Sequence, residues 1–142
     1  MYKSILLPVD LGNLDTQEKA AASAELVVTA TGAELHLLAI VPDPGIGFVT
    51  SFFPDDFQEK ALEQAMVHLK EYADQRFAGK SDLHVHVAHG TVYREIVSKA
   101  EECGVDLIVM GSHRPELEDY LISANTAWVS RHAGCSVMVV RP

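Results

Sequence analysis

The sequence predicts an α/β fold, in which an open sheet of five mostly parallel strands carries helices on both faces. Apolar runs with strand character alternate along the chain with helical periodicities, as in proteins of this class. Several of these runs are apolar throughout, which is typical of parallel strands that helices cover on both faces. The chain has 142 residues and no linker, repeat or low-complexity tract. We therefore expect a single domain over residues 1–142.

Five apolar runs are expected to form the strands. They comprise residues 4–9, 34–41, 83–88, 107–110 and 136–140. Right-handed crossovers between parallel strands produce a doubly wound sheet, and ligands bind such sheets where the strand order reverses. The carboxyl ends of the strands are therefore the expected location of a site.

Four helices are predicted between the strands, from apolar residues at helical spacing. The first ends at Gly32, the second follows the start signal Pro54-Asp55-Asp56, and the third ends at Gly104. The fourth is expected from about Ser123 to His132. The residues that form the first three apolar stripes are Ala20, Ala24, Val27 and Val28, then Phe57, Ala61, Ala65, Leu69 and Tyr72, then Val92, Ile96 and Ala100.

Charge and composition exclude two classes of partner. The formal net charge is −9 and no Lys/Arg stripe is present, so a nucleic-acid partner is not expected. No apolar run reaches membrane-spanning length, and the one between Lys3 and Asp10 is too short for the core of a signal peptide. Cys103 and Cys135 are isolated thiols, which fits a reducing compartment. We therefore expect a cytoplasmic protein without membrane association.

Two segments predict a nucleotide site. The fourth strand leads into Gly111, a short polar loop and a helix N-terminus, whose free backbone N–H groups suit a phosphate. Asp10 ends the first strand, where its carboxylate can accept hydrogen bonds from a ribose hydroxyl or an adenine amine. Alternatively, Asp10 caps the loop that follows it. Val41 ends the second strand and could offer its backbone groups to adenine.

The expected nucleotide-binding residues lie at strand ends, in the polar loop and in the first turn of the fourth helix. In that turn, Ser123 is predicted to cap the helix and to donate its hydroxyl to a phosphate oxygen. The full set is Pro8, Val9, Asp10, Val41, Met110, Gly111, His113, Arg114, Ser123, Ala124 and Asn125.

A metal site and an efficient catalytic site are both not expected. His84 and His86 share one face of a strand, with His89 nearby, but no carboxylate or cysteine in the sequence pattern completes a ligand set. These histidines are interpreted as solvated residues of an edge strand. No nucleophile elbow, Walker loop or pair of catalytic carboxylates is present, so at most slow ATP hydrolysis is expected.

The whole chain resembles the universal stress protein family. The resemblance rests on the opening segment of residues 2–10, on His89-Gly90 after the third strand, and on the closing segment of residues 129–141. It implies the strand order 3-2-1-4-5 and a role for Asp10 on the adenine side. It also implies homodimers that pair through the last strand, from Ser136 to Arg141.

The family's ATP-binding members carry the motif Gly-x2-Gly-x9-Gly-Ser/Thr around the phosphates. Gly111 matches its first glycine, Arg114 occupies the second position, and Ser123-Ala124 stand where Gly-Ser is expected if the loop is one residue shorter. The Ser-His-Arg-Pro loop resembles that of small family members which still bind ATP. The hypothesis is that Arg114 takes over part of the phosphate recognition through its charge.

The sequence and the resemblance together predict a cytoplasmic homodimer that binds ATP or AMP in a stress response, with Mg²⁺ as a further candidate ligand. One alternative is a dimeric interaction module whose nucleotide site is degenerate and empty. A phosphotransfer or hydrolytic enzyme is disfavoured, because no catalytic base is identified.

Overall fold

The computed structural model describes residues 1–42, 56–112 and 120–142, and strands and helices alternate along them. A single 3-10 turn, Leu14–Gln17, precedes the first helix. The strands and helices in chain order are β1 (Ser4–Pro8), α1 (Glu18–Thr31), β2 (Glu34–Pro42), α2 (Phe57–Arg76), β3 (Leu83–Gly90), α3 (Val92–Glu102), β4 (Leu107–Gly111), α4 (Tyr120–His132) and β5 (Ser136–Val140).

The strands form one sheet in the order β3-β2-β1-β4-β5, and every neighbouring pair is parallel. The predicted fold class and strand order are therefore confirmed. Predicted and observed strands agree to within two residues at each end, the largest difference being that β3 continues to Gly90. The chain crosses from one half of the sheet to the other between β3 and β4, so the strand order reverses beside β1.

The core consists of two apolar layers, one on each face of the sheet, because alternate residues of a strand point to opposite faces. Ile5 and Leu7 of β1 lie in the layer under α1 and α2. Leu6 lies in the layer under α3 and α4, with Ile96 and Val129. Burial of each such side chain contributes about 1.5–3 kcal/mol, so both faces of β1 contribute to stability.

Asp106 joins the amino ends of β1 and β4. Its carboxylate accepts hydrogen bonds from the backbone N–H groups of Lys3 (2.9 Å) and Ser4 (3.1 Å). Its own backbone N–H donates to the carbonyl of Ser4 at 3.0 Å. The two central strands are therefore held together at the end opposite to the expected site.

The helix ends follow the sequence signals at two glycines. Gly32 and Gly104 have φ angles of 72° and 65°, the left-handed conformation that commonly terminates a helix. α4 begins at Tyr120, three residues before the predicted start near Ser123, and ends at His132 as predicted. The backbone of Ser123 therefore lies inside the helix. No Gly or Pro in residues 120–122 interrupts the helix before Ser123.

None of the helices in the described segments is long and apolar enough to cross a membrane.

The turn after β3 requires a glycine. Gly90 has a φ of 147°, and a Cβ built on it would lie 2.6 Å from Oε1 of Glu95. We expect Gly90→Ala to lower the free energy of unfolding by about 1–3 kcal/mol, the usual cost of a residue in a forbidden region of φ/ψ space. Urea denaturation measures this change.

Gly134→Ala is the matched control for this substitution. A Cβ at Gly134 would meet nothing within 4 Å, and its φ is not positive. We expect its urea midpoint to stay close to that of the original chain. Equal losses for the two variants would contradict a specific conformational requirement at Gly90.

Candidate functional site

A crevice opens where β1 and β4 separate. β1 pairs with β2 over its whole length but with β4 only at Ile5 and Leu6. β4 continues beside β5 as far as Gly111, which lies opposite Val140. The two central strands are therefore joined at their amino ends and apart at their carboxyl ends, as expected at the reversal point of a doubly wound sheet.

A cavity of about 500 Å³ occupies this crevice, and it extends between α2, α3 and α4. This volume lies within the range of about 300–1,000 Å³ that is typical of small-molecule sites. Most of the predicted site residues contribute to its wall. Those that line it are Pro8, Val9, Asp10, Val41, Met110, Gly111 and Asn125.

The remaining predicted site residues cannot be placed against this cavity. His113 and Arg114 lie outside the described residues. Ser123 and Ala124 belong to the backbone of α4, but their side chains are outside the described part. Their roles toward a phosphate therefore stay predictions.

Helix α2 supplies cavity residues that the sequence analysis did not identify. Ala61, Gln64, Ala65 and His68 line the cavity from this helix. Ala61 and Ala65 belong to the predicted apolar stripe, but their small side chains leave space beside the sheet and are only half-buried. The signal available in the sequence was the polar pair Gln64 and His68, which are four residues apart and therefore share this side of the helix.

Asp10 lines the cavity and also organises the loop that follows β1. Its Oδ1 accepts a hydrogen bond from the backbone N–H of Gly12 (3.1 Å), and its Oδ2 accepts one from the side-chain amide of Asn13 (2.9 Å). The backbone N–H of Asp10 donates to Oε1 of Gln17 at 2.9 Å. A carboxylate offers about four acceptor positions, so these contacts leave capacity for a ligand. Loop capping is therefore observed, and ligand binding is compatible with it.

The backbone groups of β2 that face the crevice belong to Ile40, not to Val41. The N–H of Val9 donates to the carbonyl of Leu38 at 2.7 Å, so the backbone groups of Leu38 point toward β1. Because these groups alternate sides along a strand, those of Ile40 point the same way and those of Val41 point toward β3. Beyond Val9, no described residue of the β1 segment forms a backbone hydrogen bond with β2. Val41 lines the cavity, but its backbone groups point toward β3. The backbone groups that face the crevice are those of Ile40.

The protein itself tolerates a larger residue at Gly111. Its φ is not positive, and an added Cβ would meet the Cβ of Ala20 at 3.7 Å, an ordinary contact. The conformation and packing of the fold therefore do not require a glycine at this position. The described wall contains neither Lys nor Arg, and Asp10 and His68 are its ionisable side chains.

A second group of polar side chains lies outside this cavity, on the face of the sheet under α3. His86 of β3 is half-buried there, beside His36 of β2 and Cys103 at the end of α3. Glu34 contacts both His36 and His84. The sequence-based argument that no carboxylate or cysteine accompanies the histidines is therefore wrong. His84 is exposed as expected, whereas His86 is not fully solvated.

Comparisons with known proteins agree with this architecture. The model of the universal stress protein family matches residues 1–141. Universal stress protein G of Shigella flexneri is 33% identical over 99% of this chain and 100% of its own length. The solved structure of the protein MJ0577 of Methanocaldococcus jannaschii superposes with a TM-score of 0.81 at 29% identity, and covers 100% of this chain and 97% of that one.

A further solved structure is a universal stress protein in complex with cAMP. It has a TM-score of 0.74 and covers 98% of this chain and 97% of that one. Its sequence identity is 20%, so this likeness shows the fold alone.

We expect the carboxylate of Asp10 to contribute modestly to stability. Asp10→Ala removes the two hydrogen bonds from Gly12 and Asn13, which are both exposed, and should lower the free energy of unfolding by about 0.5–1.5 kcal/mol. Asp15→Ala, at a neighbouring exposed acid, serves as the control and should change it by less than about 0.5 kcal/mol. A loss above about 3 kcal/mol for Asp10→Ala in urea denaturation would show that the loop depends on this side chain to a degree the contacts do not explain.

Proposed function

Because the chain belongs to the universal stress protein family, we propose that it binds an adenine nucleotide in the cavity above the carboxyl ends of β1, β2 and β4. One observation carries the proposal: a cavity of about 500 Å³ at the strand reversal combines apolar walls with the Asp10 carboxylate and the open backbone of Ile40. The complex of a universal stress protein with cAMP concerns an adenine nucleotide on the same fold. At 20% identity it lends support through the fold only.

In the proposed complex, the base lies against β2. The adenine edge presents the N6 amine as a donor and N1 as an acceptor. The carbonyl of Ile40 can accept from the amine and its N–H can donate to N1. The remaining acceptor capacity of the Asp10 carboxylate suits a ribose hydroxyl, since Asp10 lies one strand away on the same edge of the sheet.

The phosphates would extend from Gly111 toward the start of α4. The N-terminus of a helix favours anions, and Asn125 and Thr126 line the cavity on this side. His113 and Arg114 follow Gly111 after one intervening residue, Ser112, and would supply the positive charge that the described wall lacks. Asp10 is the single carboxylate of the described wall, so Mg²⁺ would enter with the phosphates and not occupy a site of its own.

We propose nucleotide-dependent binding as the activity, with turnover slow at most. Phosphoryl transfer needs an oriented nucleophile and dense positive charge around the transferred group. The described wall contributes neither Lys nor Arg, and its one carboxylate is engaged with Gly12 and Asn13. The protein would then respond to nucleotide by changing what it binds, inside the cytoplasm and as part of a stress response.

We further propose that two copies associate through β5. This strand forms an edge of the sheet, and Met138 and Val139 are 36% and 40% exposed on it. An apolar edge strand invites pairing with another strand, and a two-fold axis lets two copies of β5 cover one another. Residues 136–141 would form this interface.

The nucleotide proposal predicts that Asp10→Ala weakens ATP binding by about 5- to 150-fold, because one hydrogen bond in a desolvated site is worth about 1–3 kcal/mol. Isothermal titration calorimetry with ATP and with AMP, each with and without Mg²⁺, measures this loss. Asp15→Ala is again the control and should bind as the original chain does. Unchanged ATP affinity in Asp10→Ala would restrict Asp10 to loop capping.

Gly111→Ala tests the other end of the site in the same titrations. Because the fold accommodates the added Cβ, its stability should stay close to that of the original chain. ATP should lose more affinity than AMP, since the added methyl group obstructs the backbone near the distal phosphates. If neither nucleotide binds the original chain, and mass spectrometry of the natively purified protein detects none, the alternative of a degenerate interaction module is favoured.

The dimer proposal predicts that Val139→Asp shifts the protein from dimer to monomer at micromolar concentration. A charge on an exposed edge strand cannot be buried against its own copy without a large cost. Light scattering gives the mass directly. The control is Val67→Asp on α2, where the side chain is 54% exposed and the helix packs against β2 and β3 at the other edge of the sheet. A monomeric original chain, or a dimer that survives Val139→Asp, would contradict pairing through β5.

A further inference from the structure

We propose that His36, His86 and Cys103 form a binding site for Zn²⁺. The three residues are named here the His–Cys cluster. Nδ1 of His36 lies 2.8 Å from Nε2 of His86, and Sγ of Cys103 lies 3.8 Å from the same Nε2. All three potential ligand atoms lie within 4.8 Å of one another. None of these residues lines the nucleotide cavity, so the proposal does not depend on nucleotide binding.

Two of the three separations between the ligand atoms are close to those in a zinc tetrahedron. Zn–N and Zn–S bonds of about 2.0–2.1 Å and 2.3 Å place donor atoms about 3.3–3.6 Å apart. The observed separations of 2.8 Å and 3.8 Å bracket this range. Small side-chain rotations, with no backbone change, would therefore admit the ion. Two imidazoles and a thiolate are also the donor types that zinc prefers.

The fold explains why the three side chains meet. His36 and His86 lie on adjacent strands and are offset by two residues, since His36 is opposite His84 and His86 is opposite Leu38. Residues 36, 38 and 86 share the face of the sheet that α3 covers. Cys103 is the residue at which α3 ends, and its N–H donates to the carbonyl of Lys99 at 3.0 Å. The end of the helix therefore brings the thiol to the histidine pair.

Glu34 contacts the ring nitrogen of His36 that faces away from the rest of the cluster. Its Oε1 lies 3.1 Å from Nε2 of His36, and this hydrogen bond is the main cause that holds the pKa of Glu34 below its usual value. With the Nε2 proton donated to the carboxylate, the lone pair of His36 Nδ1 points at the other members of the cluster. Metal-bound histidines commonly have such a carboxylate on the second nitrogen, because it fixes the tautomer and raises the basicity of the ligand.

Burial affects the other two side chains of the cluster. It lowers the pKa of His86, assisted by the nearby His36 and Lys99, and it raises the pKa of the Cys103 thiol. The charge of Lys99 is balanced by Glu102, with Nζ and Oε2 3.0 Å apart.

A competing set, Glu34, His36 and His84, shares His36 but is less suitable. Its outer members have exposed side chains, 37% for Glu34 and 47% for His84, so water competes for both. It also lacks sulfur. In the His–Cys cluster, His36 is only 6% exposed, and its partners are half-buried. Three protein ligands leave one coordination position open to water or to a further ligand.

The first experiment titrates the purified full chain with Co²⁺ and then with Zn²⁺. A Co²⁺–thiolate bond gives a charge-transfer absorption band in the near ultraviolet, which histidine and carboxylate ligands do not produce. We expect this band to saturate at one Co²⁺ per chain and to disappear when Zn²⁺ is added. Absence of the band would overturn the proposal.

Variants then assign the ligands, with affinity measured against a chromophoric zinc chelator. We expect Cys103→Ser and His86→Gln to lose more than about 100-fold in Zn²⁺ affinity, and Glu34→Gln to lose about 10- to 100-fold, as is usual for a carboxylate behind a ligand. The matched controls are Cys135→Ser, at the other free half-buried cysteine, and His132→Gln on α4. Both controls should bind Zn²⁺ as the original chain does.

Each contrary result is decisive. Loss of the cobalt band in Cys135→Ser would place the thiolate elsewhere, and so would its retention in Cys103→Ser. Loss of Zn²⁺ binding in His84→Ala but not in His86→Gln would assign the metal to the competing set. Thermal melting without metal checks that each variant folds, and if Cys103→Ser does not fold, His86→Gln and the spectrum of the original chain still decide. Asp10→Ala should bind Zn²⁺ normally, so failure of nucleotide binding leaves the zinc result interpretable.

Discussion

The structure depends on the separation of β1 from β4. The carboxylate of Asp106 and two paired positions hold these strands together at their amino ends, and beyond Leu6 the pairing stops. The reversal of strand order requires this, because the helices on the two sides of β1 cover opposite faces of the sheet. The space that results is where the cavity forms. The pairing of β1 with β2 also stops after Val9, so the backbone groups of Ile40 on β2 face this space.

The cavity wall serves the fold and, in the proposed complex, also a ligand. Asp10 is one such residue, because its carboxylate caps the loop after β1 and also borders the cavity. Ala61 and Ala65 of α2 also border it. Their side chains are too small to fill the gap between α2 and the sheet, and this leaves room for a ligand. In a chain of net charge −9, a phosphate is accommodated only where backbone N–H groups or the few cations collect.

Helix α3 connects the two polar regions of the molecule. Its first half lines the cavity through Val92 and Ile96, and its last turn leads to Cys103 in the His–Cys cluster. A rigid helix of 11 residues therefore has one end at the proposed nucleotide site and the other at the proposed metal site.

The sequence by itself determined the class of the fold, because strand and helix periodicities depend on local spacing alone. Continuous apolar runs predicted buried parallel strands, and Gly32 and Gly104 marked helix ends that the structure confirms. The family resemblance supplied the strand order, whereas the strand pattern itself directed attention to Asp10 and Gly111, which both border the cavity. These residues were recognisable because they directly follow or end a buried strand, so their place at the edge of the sheet follows from the strand alone.

The tertiary structure alone decided what distant segments do together. α4 starts three residues earlier than predicted, because Ser123 indicates a helix start only where the preceding residues are not helical, and residues 120–122 contain no Gly or Pro. The backbone groups that face the crevice belong to Ile40 and not to Val41, because their direction depends on how β2 pairs with its neighbours. The sequence of a single strand does not contain this information. Glu34, His36, His86 and Cys103 meet because β2, β3 and the end of α3 are neighbours in space. Spacing along the sequence does not reveal these long-range contacts. They depend on how the helices and strands pack, and not on how far apart the residues lie along the chain.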